Sequence, residues 1–302
     1  MPWLSDHFIQ LIIRPDHESV FSDFYDHADL DNFFCMLFTL PGLHWMRTNW
    51  DAGFFTVFSD YIEHMIQKGY ALEACLDRYY FKFSSLYNST HYIHSTLIYG
   101  FDTEKREIYV ADFWDNGKYD QKVVSYDEIN ASLNNNWLIN IFSLEDGQYT
   151  FNPVLMKQSF EDYLHSEDSF HKFVFSGRDY NKTAIFGLKY YDYLMDRLNR
   201  QDNTKIDFRL FHILYDHKVL MSHRLKYLES INFRDAQILA SLKEKNEKLT
   251  RHSLILRNRV LKYNLNSSAT LLDQIKISVT ELKTLDREFT EAVLAMIDIH
   301  VL

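Results

Sequence analysis

The sequence predicts an α+β fold, with an antiparallel sheet beside N-terminal helices followed by a mostly α-helical C-terminal region. Three observations predict it. The 12 Gly and Pro residues all lie in the first 187 of 302 residues, so residues 205–302 contain no helix breaker. Apolar spacing changes from short β-prone runs before about residue 150 to long helical stripes after about 205. Aromatic residues divide in the same way, 42 before residue 205 and 7 after it. We therefore expect residues 1–150 to form an α+β domain and residues 151–302 a helical one.

Taken in order, Asp29 to Leu40 reads as a buried helix capped by Asp29 and stopped by Pro41-Gly42. A second helix spans 54–68 and ends at Gly69. Tyr70 to Phe83 is aromatic and β-prone and reads as a strand. Tyr92–Gly100 and Glu107–Phe113 form a hairpin across the polar turn Asp102–Arg106, and Asp115-Asn116-Gly117 turns into a third strand at Lys122–Tyr126. Ser125 with Glu128 is a capping box that opens a short helix, which ends at Asn134-Asn135-Asn136 before the strand Trp137–Ser143.

Asn152-Pro153 then places a cap directly before a first-turn proline, and Thr183–Arg200 reads as a helix. Leu210, Leu214, Met221, Leu225 and Leu228 line one helix face. Leu272, Ile275, Val279, Leu282, Phe289, Val293 and Ile297 line another, which Thr270 and Asp273 cap. Such stripes fit the core of a bundle, or the coiled-coil face of a homodimer.

Charge and composition exclude several classes. The chain carries −10 overall, divided into −14 for the first 204 residues and +4 for the rest. That balance argues against nonspecific binding to nucleic acid or to an anionic membrane, which needs clustered positive charge. No run is long enough to span a membrane, the N-terminus lacks the basic start of a signal peptide, and two cysteines cannot build a disulfide framework, so a cytoplasmic protein is expected. Without secretion the sequons at Asn88, Asn130, Asn181 and Asn266 carry no meaning. No Gly-rich phosphate loop, dinucleotide fingerprint or serine nucleophile elbow occurs. His91 and His94 point to opposite faces of a strand, and His212, His217 and His223 lack helical metal spacing, so no metal site is expected. The basic residues between Lys243 and Arg259 fit a solvated face, or a surface for an acidic carrier protein.

The chemistry-bearing pair is in the hairpin. A turn symmetric about Thr103 sets His94 opposite Asp112 on one face, close enough for the carboxylate to accept an imidazole hydrogen bond. A histidine held in that way can deprotonate a thiol or hydroxyl. Cys35, on the first helix, is the natural nucleophile, although its neighbours Phe33, Phe34, Met36 and Leu37 also suit a buried thiol with no reactivity. Cys75 reads as structural.

A Cys-bearing helix followed by His94-Ser-Thr-Leu-Ile-Tyr-Gly100 and Tyr109-Val-Ala-Asp112 resembles the papain-like fold of bacteriocin-processing cysteine peptidases. Within that group it is most similar to the N-terminal domain type of butirosin biosynthesis protein H, in which a stretch like Leu76-Asp77-Arg78-Tyr79-Tyr80 precedes the His strand. The resemblance covers about residues 20–145. A helical segment like 150–302 commonly follows, in which Ile185–Tyr190 and Leu214–Lys218 also fit. It implies acyl transfer or thioester cleavage in bacterial natural-product biosynthesis by a cysteine nucleophile, for which Cys35 is the candidate here, with His94 as base and Asp112 as its orienter. An acyl or peptidyl carrier protein would deliver the substrate on phosphopantetheine, a small-molecule amine or peptide would accept it, and no other cofactor is needed. The departure is at Cys35, because members usually place the cysteine at the helix start, where Asp29 and Leu30 stand here. The resemblance also admits a non-catalytic docking module of the same fold, or a peptidase.

Overall fold

The computed structural model describes residues 2–15, 21–25, 42–49, 55, 57–115, 117–133, 138–145, 147–169, 183–200 and 205–301. The fold is α+β with a helical C-terminal region. The expected helix at 29–40, and Cys35 with it, lies outside the described residues.

The chain divides into two compact units, Met1–Thr39 with Tyr149–Leu302, and Leu40–Gln148. The division at 1–150 and 151–302 expected from composition needs correcting at the N-terminus, and packing gives the reason. Strand β1 (Gln10–Arg14) is buried on both faces. Its Leu11 and Ile13 enter the core made by the C-terminal helices, while Ile12 meets Phe186. A strand covered on both faces cannot border solvent, so it belongs with the apolar surface that covers it.

The first unit contains α1 (Pro2–Asp6), β1, β2 (Phe21–Tyr25), α4 (Pro153–His165), β9 (Ile185–Phe186), α5 (Lys189–Asn199), α6 (Arg209–Ser230), α7 (Ala236–Asn266) and α8 (Ala269–Val301). Its strands form an antiparallel sheet in the order β2-β1-β9. The Asn152-Pro153 signal is realised at α4, where the Asn152 side chain accepts from Val154 N and Leu155 N. The helix expected over Thr183–Arg200 begins only at Lys189. Gly187 turns there with φ +52°, and a Cβ on it would stand 2.1 Å from Tyr163 O, so the chain makes the short strand β9 first. The stripes of α6 and α8 are buried in this unit's own core, with Leu272 at its margin.

That core also encloses charge. Lys218, fully buried on α6, donates to Asp286 Oδ2 of α8 at 2.5 Å. Tyr163 and Tyr191 donate to the same oxygen at 2.6 and 2.8 Å. His217 Nε2 donates to Ile9 O at 2.7 Å, so its Nδ1 accepts from Lys218 Nζ at 2.8 Å. Burial, together with the neighbouring Lys218 charge, holds His217 well below its usual value and therefore neutral.

The second unit is a six-stranded antiparallel sheet in the order β3-β8-β4-β5-β6-β7, formed by β3 (Leu43–Asn49), β4 (Ala71–Asp77), β5 (Ile93–Asp102), β6 (Glu107–Phe113), β7 (Tyr119–Ser125) and β8 (Leu138–Leu144). The helices α2 (Phe58–Gln67) and α3 (Tyr126–Ser132) contribute Phe58, Ile62 and Met65, and Tyr126 and Ile129, to its core against Leu72, Leu76, Ile98, Ile108 and Val110. The capping box is present, with Ser125 and Glu128 each bonding the other's backbone N–H. The strand expected through Phe83 stops at Asp77, because Asp77 Oδ1 accepts from Tyr79 N and curls Arg78–Tyr80 into a 3-10 turn.

Removing one member of a buried ion pair leaves the other uncompensated, so Lys218→Met should cost the first unit about 3–5 kcal/mol in urea unfolding. Adding Asp286→Asn should recover part of that loss, and strict additivity in the double-mutant cycle would contradict the pairing. Neutral His217 adds a pH signature. The unfolded chain takes up a proton there below about pH 6.5 and the folded chain does not, so stability should fall on acidification by up to about 1.4 kcal/mol per pH unit.

Candidate active site

The site grows out of a register adjustment between β5 and β6. Near the turn Asp102 pairs with Glu107 and Gly100 with Tyr109, so the loop is longer than a turn symmetric about Thr103 and the ladder is displaced by three residues from that expectation. An odd displacement would put Asp112 and His94 on opposite faces. A bulge at Tyr99, between Ile98 and Gly100, returns one residue, and beyond it Ile98 pairs with Val110 and Leu97 with Ala111. Continued by one step, that register sets Thr96 opposite Asp112 and His94 on the diagonal. The expected direct opposition of His94 and Asp112 is thus corrected to a diagonal one, on the same face. Gly100 suits the bulge, since a Cβ there would lie 2.7 Å from the Tyr109 ring.

The diagonal contact is closed. His94 Nδ1 lies 2.9 Å from Asp112 Oδ2 and 3.0 Å from Ser95 O. Both partners are acceptors, which places the proton on Nδ1 and leaves Nε2 as the basic nitrogen. The His94 side chain is 36% exposed and that of Asp112 3%. Oδ2 also accepts from Thr96 Oγ1 at 3.0 Å and from Arg78 Nη2 at 2.8 Å, and Oδ1 accepts from Phe113 N at 2.6 Å. Burial works to raise the Asp112 carboxyl, but the hydrogen bonds from His94 and Arg78 and their charges outweigh it and hold the group below the usual carboxylate range.

A second pair lies where the chain enters β5. His91 Nδ1 meets Asp77 Oδ2 at 2.6 Å, and the exposed His91 ring stacks on Tyr79 with centroids 4.2 Å apart. The two histidines therefore serve different carboxylates, and among the described residues no group of three or more His, Cys, Asp or Glu side chains could hold a metal ion. His212 pairs with Asp216 at 3.8 Å and His217 is buried on Ile9 O. No described helix is long and apolar enough to cross a membrane.

Of the expected triad, the structure brings His94 and Asp112 together, and Cys35 lies outside the described residues. Cys75 does not replace it. Cys75 pairs with Ser95, and its neighbour Leu76 pairs with His94, so Cys75 is on the opposite face of the sheet from His94. Burial, with the Glu73 charge adding to it, pushes its thiol up to about 11. Sequence reasoning missed Thr96 and Arg78 as members of the site. Thr96 was legible as the next residue on the His94 face. Arg78 reaches Asp112 only because β4 ends in a 3-10 turn, and no local spacing encodes that.

Two outcomes follow. At neutral pH the described thiol, Cys75, should be alkylated about a hundredfold more slowly than an unperturbed thiol, because thiolate is the reacting form. Mass spectrometry after timed alkylation measures this, and rapid labelling at Cys75 would contradict its placement. Asp112, folded with a depressed value, stabilises its unit above the unfolded value of about 3.9 and loses that contribution as pH falls through the folded value. Asp112→Asn should therefore flatten the acid limb of the unfolding curve of this unit.

No protein-family model matches the chain, and no curated protein matches it significantly.

Proposed function

We propose that this protein transfers or releases an acyl group carried as a thioester on an acyl or peptidyl carrier protein, with His94 as general base and Asp112 as its orienter. The observation that carries the reading is the 2.9 Å contact from His94 Nδ1 to Asp112 Oδ2, with Nε2 left free on a ring that solvent reaches. The resemblance to papain-like acyltransferases supplies the need for a cysteine nucleophile, and Cys35, on the helix expected at 29–40, is the candidate for it. In this scheme Nε2 takes the Cys35 thiol proton and the thiolate adds to the thioester carbonyl. The pantetheine thiolate leaves and takes the proton back from the imidazolium. An amine, or water, then attacks the acyl-cysteine with His94 accepting its proton, which yields amide or acid and the free thiol. The substrate brings its own phosphopantetheine, and a cytoplasmic setting suits a thiol chemistry that needs reduced cysteine.

Incubation with an acyl carrier thioester should give a mass increase on Cys35 equal to the acyl group less the thiol hydrogen it replaces. His94→Ala should lower turnover by roughly 10²–10⁴-fold, the usual worth of a positioned base. Full turnover by Cys35→Ala would sink the mechanism.

A second reading, a non-catalytic docking module of the same fold, is favoured by one observation. Arg78 occupies the same Asp112 oxygen that holds His94, as it would in a closed structural network. Native-state thiol labelling separates the two, since an inert Cys35 supports docking and rapid modification near neutral pH supports catalysis.

A further inference from the structure

Asp112 has a problem that its hydrogen bonds to His94 and Thr96 do not solve. In the β6–β7 ladder it is paired directly with Asp120, so two carboxylates share one face of neighbouring strands. Like charges directly opposed across a sheet repel, and burial of one of them worsens the cost. Asp120 is more than half exposed and has its own cation, Lys122 Nζ at 2.6 Å. Asp112 is buried, and its cation is Arg78, also buried, at 2.8 Å.

The guanidinium is held on several sides. Nη2 bridges Asp112 Oδ2 and Phe113 O, at 2.8 and 2.5 Å, and so ties a side chain and the next backbone carbonyl of β6 with one nitrogen. Its Cζ lies 5.4 Å from the Tyr92 ring and 5.0 Å from the Trp114 ring, and Trp114 is itself anchored by donating to Asp120 O at 2.7 Å. Tyr92 also stacks on His94, with centroids 5.8 Å apart and planes 17° from parallel. Arg78 thus touches the orienting carboxylate directly and the imidazole through one ring. The 3-10 turn capped by Asp77 delivers it there from the end of β4.

We propose that Arg78 is a positioning residue for the His94–Asp112 pair: it keeps the Asp112 carboxylate charged and aimed at Nδ1, so that His94 keeps its Nδ1–H form and a basic Nε2. The catalytic sense of this role rests on the acyl-transfer reading, while its effect on the pair does not. The titratable groups around Asp112 are Arg78 from the turn, His94 from β5, and Asp120 and Lys122 from the facing positions of β7, with Tyr119 of β7 within reach of the Asp112 charge and Asp115, beyond Trp114, within reach of that of Arg78. Of these, only Arg78 and His94 bond the carboxylate, and of the two only Arg78 is a guanidinium, with a delocalised positive charge.

The test is carboxyl ¹³C NMR of Asp112 and ¹⁵N NMR of His94 across pH in the full chain, for the wild type, Arg78→Met and Arg78→Lys, with thioester turnover measured on the same samples. The wild-type Asp112 midpoint should lie below the ordinary value of about 3.9, and Arg78→Met should raise it by about 1–3 pH units. The ¹⁵N titration of His94 should be displaced in Arg78→Met relative to the wild type, and the acid limb of the turnover profile should move with it. Arg78→Lys, which keeps a cation on a stem of similar length, should recover more than half of the way back to the wild-type midpoint. A purely structural arginine would lower thermal stability without moving either titration. An unchanged Asp112 midpoint in folded Arg78→Met overturns the proposal. So does a wild-type midpoint at or above the ordinary value, which is read whether or not a variant folds. If both titrations move as expected and the wild type turns over no thioester, the acyl-transfer reading falls and the positioning role stands.

Discussion

A carboxylate removed from water must have its oxygens met by donors, and in each unit one oxygen meets that demand three times over. Asp286 Oδ2 accepts from Lys218, Tyr163 and Tyr191, and Asp112 Oδ2 accepts from Arg78, His94 and Thr96. Around Asp286 each donor is itself buried, so the network closes on itself and pins α4, α5, α6 and α8 to one arrangement. Around Asp112 one donor is different. His94 gives its Nδ1 proton to the carboxylate and keeps a second nitrogen on a ring that reaches solvent. The same electrostatic requirement therefore yields a lock in one unit and a candidate base in the other, and a single ring exposed at the edge of the network separates the two outcomes.

Much of this was legible because it is local. Ser125 with Glu128 and Asn152 with Pro153 each depend on neighbours within a few residues, and each is realised. The His94–Asp112 contact was legible for a subtler reason. The assumed turn was too short, and the ladder near it is displaced by an odd number of residues, which alone would have separated the pair. The bulge at Tyr99 restores the parity, so the facing relation survives although the register differs. What could not be read depends on partners far apart in the chain. Lys218 and Asp286 are 68 residues apart, and Ile9 O and His217 are 208 apart, so no periodicity links them. Arg78 is hidden in a different way, since a strand pattern running through it concealed the turn that aims it.

The chemistry proposed for the site fits its electrostatics. A general base in acyl transfer needs a fixed tautomer more than a large charge, because the wrong nitrogen protonated removes the proton acceptor altogether. Asp112, with Arg78 and Thr96 donating to Oδ2 and Phe113 N to Oδ1, is held in place as an acceptor and has little freedom to turn away. Tyr92, which stacks on both Arg78 and His94, limits the ring in a second direction. Rigid placement of that kind is what converts a histidine on a sheet into a positioned group.

The arrangement of the first unit bears on how the chain is made. Strand β1 is synthesised ahead of most of its unit: its second pairing partner β9 and the His217 that bonds Ile9 O come some 170 to 200 residues later. At about 5–20 residues per second, that apolar strand waits on the order of ten seconds or more for its cover. The second unit is contiguous in sequence and is complete long before α8 is synthesised. Vectorial synthesis thus favours an order in which the sheet carrying His94 and Asp112 forms first, and the helical unit closes over its own N-terminal strand only at the end.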